Sequence, residues 1–155
     1  MKITLKKFQH AAFASQETYC FSADVLIDGK KAGYAENDGH GGCTSVHLTE
    51  AFRHLDTPEN DIEGKVDAEC HKLVCAKQDK SLLARVKRDL SKNILFRRKN
   101  TPVGESRIIR GIVGTSAYEG KIAQLKADPD VVEIYNLMSV EQATKALYPD
   151  FNTVG

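Results

Sequence analysis

YCFSADVLIDGKKAGYAEN, residues 19–37, is the stretch on which the reading of this chain turns. Tyr19, Phe21, Ala23, Val25 and Ile27 alternate with Cys20, Ser22, Asp24 and Leu26. That period of two predicts a strand with one face toward a core. Asp28-Gly29 follows at once. Both residues tolerate the positive φ that a two-residue hairpin turn demands at its central positions. Residues 30–36 are then the returning arm, closed by the glycine-rich NDGHGG of residues 37–42.

Working outward, Ile3 and Leu5 alternate with Lys2, Thr4 and Lys6 and predict an opening strand. Beyond the hairpin, Ile62, Val66, Cys70, Leu73 and Val74 fall at helical spacing. Ser81 can cap a second helix carrying Leu82, Leu83, Val86 and Leu90. Residues 78–80 leave open whether these are two helices or one. NILFRRK (93–99) and SRIIRGIV (106–113) flank NTPVGE (100–105), whose Pro and Gly mark a turn. This predicts a second hairpin over about residues 93–113. A short helix is expected around residues 118–126, before Asp128-Pro129-Asp130, and a strand in VVEIYNL (131–137). Ser139 with Gln142 three residues on reads as a capping box opening a last helix to about Leu147. The expected fold is α+β: an antiparallel sheet built from the two hairpins, with several helices on one face, in a single domain over residues 1–155.

The 155 residues suffice for one ordinary domain with a core of its own, and 41% apolar with 28% charged residues is a globular composition. No export signal is visible, and no run approaches the roughly 18 apolar residues of a membrane span. Without an export signal, Cys20, Cys43, Cys70 and Cys75 are expected as free or metal-bound thiols in a reducing cytoplasm, with no membrane partner.

The loop NDGHGGCTSVH (37–47) holds three readings. His40, Cys43 and His47, with His71 and Cys75 one helical turn apart, are candidate zinc ligands, since zinc takes four such donors in a tetrahedron. Their spacings do not form the paired short half-sites of zinc motifs, so no cofactor is expected. Asp38, His40 and Cys43 are candidates for a base and a nucleophile, with glycine amides around His40 to hold an anion. Cys43 lies only three residues from His40, whereas catalytic partners usually meet from distant parts of a chain. No phosphate-loop lysine follows the glycines. The third reading is a turn: Asn37 and Asp38 bond local backbone and His40 is exposed. The turn is the reading taken here; a small enzyme or zinc protein centred on this loop is the alternative.

The net charge of +1 hides an uneven distribution. Residues 76–110 carry eleven Lys/Arg and three Asp/Glu, a net of +8. Residues 1–75 sum to −4 and residues 111–155 to −3. Arg85, Arg88 and Lys92 share one helical face by spacing, and Arg97, Arg98 and Lys99 follow on the next strand. Such a patch neutralises phosphates without reading bases. No helix-turn-helix, zinc-finger or RNA-recognition signature accompanies it. The plain alternative is a solvated helix face.

The motif CFxAxxxxDGKxxGxxxNDGHGG, residues 20–42, resembles the front of a family of small bacteriophage and prophage proteins. These open with a lysine-rich strand and carry a Cys-Phe strand through an Asp-Gly-Lys turn into the same glycine loop. The resemblance covers about residues 1–43. KNILFRRK looks like the family's later half, and TPVGESRIIRGIVGTSAYEG departs from it. The resemblance implies context and no catalytic residue: a cytosolic accessory protein of a mobile element, with a role in host takeover or in countering host defence. Together these readings predict a binding protein whose basic face engages nucleic acid or an acidic host-protein surface.

Overall fold

The computed structural model describes residues 1–151. The fold is α+β. The chain divides after Cys75 into two compact units, and the charge divides at the same place. A single helix, α1 (Ile62–Leu90), runs through the boundary. Residues 78–80 therefore do not interrupt it, and Ser81 lies inside the helix rather than capping one. The stretch contains no Gly or Pro that would break a helix.

The first unit is a four-stranded antiparallel meander, β1 (Ile3–His10), β2 (Phe21–Ile27), β3 (Lys30–Asn37) and β4 (Ser45–Leu48), in that spatial order. Asp28 and Gly29 have φ of 47° and 82°, so the two-residue turn forms as its sequence predicts. Asp28 also accepts the Lys2 N–H on its carboxylate (2.7 Å), which ties the turn to β1. Val25, Leu26 and Ile27 are all buried. The β2–β3 register shifts between Val25 and Leu26, where the strict alternation breaks. Ile62, Val66, Cys70 and Val74 of α1 close the core against Ile3, Leu5, Phe21, Ala23, Val25, Ile27, Ala32 and Ala35. At the start of α1, the Asp61 carboxylate accepts the Gly64 N–H (3.2 Å) and satisfies one of the orphan donors of the first turn.

The second unit holds a separate three-stranded antiparallel sheet of order β6-β5-β7, from β5 (Ile94–Arg98), β6 (Arg107–Ile109) and β7 (Val131–Ile134). The expected second hairpin is β5–β6, and it belongs to this sheet rather than to the first. The helices α2 (Tyr118–Ala127) and α3 (Val140–Leu147) complete the unit. Alternation along β5 explains why both faces of the small sheet are covered, where helices on one face were expected. Ile94 and Phe96 join Ile122, Leu125 and Ile134 in one cluster. Leu95 joins Val86, Tyr135, Ala143 and Leu147 in the other. Asn136 ties the end of α1 to β5: its Oδ1 accepts the Leu95 N–H (2.9 Å) and its Nδ2 donates to the Leu90 and Asn93 carbonyls (3.3 and 2.9 Å). Ser139 and Gln142 form the predicted capping box on α3. No helix among the described residues is long and apolar enough to cross a membrane.

Candidate functional site

The glycine loop is organised around Asn37, the last residue of β3, and not around its histidines. Asn37 sits on the core-facing side of the sheet, in register with Phe21, and is buried. Its Oδ1 accepts the Gly39 N–H (2.8 Å) and the Thr18 hydroxyl (2.8 Å). Its Nδ2 donates to the Gly42 carbonyl (3.0 Å) and to Thr44 Oγ1 (3.2 Å). Thr44, also buried, donates in turn to Asp67 Oδ1 on α1 (2.5 Å). The result is a directed chain of donors, Thr18 to Asn37 to Thr44 to Asp67, that fixes a carboxylate on the helix. The Gly39 carbonyl binds the other side of the loop, accepting the N–H groups of Gln16, Glu17 and Thr18 (2.9, 3.0 and 3.4 Å).

These elements line an open cleft of about 530 Å³ within the first unit. Residues 15–19 form one wall, Asn37, Gly42 and Thr44 a second, and Asp67, Cys70 and His71 of α1 a third, with Phe21 completing the lining. Burial, and secondarily the Asp67 charge, pushes the Cys70 thiol up from its ordinary 9.0 to about 12. In the second unit, burial and the neighbouring Glu133 push Tyr135 from 10.0 to about 12. A raised pKa means that the folded state favours the protonated form. The stabilisation is complete below about pH 9 and is lost as the pH climbs toward 12, because the unfolded chain ionises first. Thermal melts between pH 8 and pH 12 are expected to show this alkaline loss. Cys70→Ala and Tyr135→Phe should each flatten part of the slope; a slope unchanged in both variants would show that other groups set it.

At the edge of the cavity, Tyr19 Oη and His71 Nδ1 lie 3.1 Å apart, and His71 Nε2 lies 3.6 Å from Cys75 Sγ. The His10 ring meets Tyr19 edge-on, with centroids 5.7 Å apart. The helical spacing of His71 and Cys75 thus brings two of the candidate ligands together. The other three lie elsewhere. His47 stacks on Tyr34 (4.5 Å between ring centroids) with Glu36 4.0 Å away. His40 is exposed, with its N–H bonded to Asp38 Oδ1 (3.1 Å), and Cys43 is exposed. No hydrogen bond joins His40 to Cys43 among the described residues. No group of three or more His, Cys, Asp or Glu side chains among those residues is arranged to hold a metal ion.

The basic segment is also reorganised by folding. Arg97 Nε donates to Glu133 Oε2 on the adjacent strand β7 (2.7 Å), and Arg97 Nη1 donates to the Thr101 carbonyl (3.4 Å). Glu133 holds the Arg97 guanidinium above its ordinary pKa range. Arg98 pairs with Asp128 (2.9 Å) and lies 5.9 Å from the centre of the Phe96 ring. The acidic 128–133 segment, distant in sequence, thus returns beside the basic strand. Arg85, Arg88, Lys92 and Lys99 remain exposed. Among them only Arg88 has a carboxylate within 4.0 Å in the described residues, Asp89 at 3.9 Å.

Sequence reasoning missed Thr18, Thr44 and Asp67. Thr18 and Asp67 belong to no motif, and Thr44 sits inside the 37–47 loop among residues with louder chemistry. Asp67, which is exposed in the structure too, reads as one more solvated position on a helical wheel. Compared with known proteins, the chain matches no protein-family model, no curated protein and no solved structure.

Proposed function

We propose that the protein is a phage-type accessory binding protein that engages nucleic acid through the cations at the C-terminal end of α1 and just beyond it. One observation carries this reading: Arg85 and Lys92 are exposed and unpaired among the described residues, and Arg88 meets only a distant carboxylate. Arg97 and Arg98 are left out of the binding set, because Glu133 and Asp128 already hold them. Exposed charges without a partner lose little when a phosphate replaces water, and counterion release from the nucleic acid supplies the driving force. Contacts from these cations to phosphates carry no base information, so the binding is sequence-tolerant.

Three or four phosphate contacts imply a loss of affinity of roughly 40- to 150-fold between 50 and 200 mM monovalent salt. Titration of short single- and double-stranded DNA and RNA at those two concentrations tests it. Replacing Arg85, Arg88 and Lys92 together by alanine should flatten the salt dependence for every sequence alike. No binding to any of the four probes at 50 mM would remove nucleic acid and transfer the reading to an acidic protein surface.

A further inference from the structure

We infer that the cavity of the first unit is a binding site for a small organic cation carrying an ammonium or guanidinium group, with Asp67 as its counter-charge. The volume, about 530 Å³, falls in the range of small-molecule sites. Its lining holds two carboxylates, Asp67 and Glu17, both on exposed residues at the rim, and no Lys or Arg. Neither carboxylate has a Lys, Arg or His nitrogen within 4.0 Å among the described residues. Uncompensated carboxylates in a concave site repel anions and favour a cationic guest.

The geometry around Asp67 goes beyond a cluster of acids. Thr44 donates to its Oδ1, and Thr44 is itself oriented by the buried Asn37 amide and the Thr18 hydroxyl behind it. A carboxylate offers about four lone-pair positions. One is taken by Thr44, and no other side chain among the described residues donates to Asp67. The remaining positions are open to the two or more N–H donors of an ammonium or guanidinium, which form charge-assisted bonds with a carboxylate. Tyr19 and Phe21 supply aromatic surface to the same cavity, and an aromatic face attracts a cation and packs against an alkyl stem. The site differs from the basic residues of the second unit in residues and in charge, so each can fail independently of the other.

The test is calorimetric titration of the full chain with agmatine, which carries a guanidinium and an ammonium on a short alkyl stem. Butane-1,4-diol and glutarate serve as neutral and anionic comparisons. Agmatine is expected to bind and the two comparisons to give no heat. Asp67→Asn should weaken agmatine binding about tenfold or more, since it removes the charge and keeps the shape. Glu17→Gln should weaken it by a smaller factor, because no hydrogen bond among the described residues orients the Glu17 carboxylate as Thr44 orients that of Asp67, and it stands in if Asp67→Asn fails to fold. Amide NMR shifts on adding agmatine should centre on Tyr19, Asn37, Gly42 and Thr44. Absence of agmatine binding at millimolar concentration, equal binding of glutarate, shifts centred elsewhere, or unchanged affinity in both variants would each overturn the proposal. Arg88→Ala should leave agmatine binding unchanged.

Discussion

Gly39→Ala is expected to destabilise the protein by about 3 kcal/mol or more, the sum of a strained backbone and an overpacked contact. Gly39 has φ +86°, a conformation that L side chains rarely adopt. A β-carbon there would lie 2.3 Å from the Ala14 carbonyl oxygen and 2.9 Å from Cys20 Cβ. Neither obstacle is the far end of a flexible side chain, so the backbone itself would have to move. It has little freedom to do so: the Gly39 carbonyl accepts three N–H groups and its own N–H bonds Asn37. Gly42→Ala is the control. It has no positive φ and nothing within 4 Å of an added β-carbon, so it should be close to neutral. Urea unfolding followed by circular dichroism measures both. Equal stability in the two variants would mean that the loop yields as a flexible turn and that Asn37 does not organise it.

The local elements were legible where local chemistry decides them. Asp28-Gly29 could hardly be anything but a hairpin turn, and Ser139 with Gln142 made its capping box on schedule, because each depends on residues within one turn of the other. The strand β4 escaped notice. It is four residues long, lies at the sheet edge, and only Val46 and Leu48 of it are half-buried, too little for a periodic signal. The loop was legible as a turn and illegible as a scaffold. Its histidines and cysteine drew attention by their chemistry, while the residue that organises it is an asparagine. The partners Thr18 and Thr44 stand 19 and 7 positions from Asn37, and no spacing rule links them to Asp67 on a helix. The separation into two sheets was hidden for a related reason. Strand patterns state which residues face a core, and they do not state which core; β5 pairs with β7 only because the chain returns after α2.

Glu133→Ala is the other variant expected to cost much, and it bears directly on function. Glu133 Oε2 accepts both the Arg97 Nε–H (2.7 Å) and the hydroxyl of Tyr135 (3.2 Å). Tyr135 is fully buried. Removing the carboxylate orphans its hydroxyl, which alone costs about 1–3 kcal/mol. It also leaves the half-buried Arg97 without its counter-charge, a smaller further penalty because water still reaches the guanidinium. The double variant Arg97→Ala/Glu133→Ala should therefore lose less than the sum of the two single variants, and chemical unfolding of all four proteins reads that coupling. The same proteins separate structure from function. If Arg97 is a strut of the β5–β7 pair, Arg97→Ala lowers the melting temperature and leaves the salt dependence of nucleic-acid binding close to wild type. Arg88→Ala should do the reverse, because its charge is exposed and its only carboxylate neighbour among the described residues is 3.9 Å away. Additive stabilities, together with a salt slope that falls as much for Arg97→Ala as for Arg88→Ala, would put the basic strand into the binding surface and Glu133 into the role of a competitor that the nucleic acid displaces.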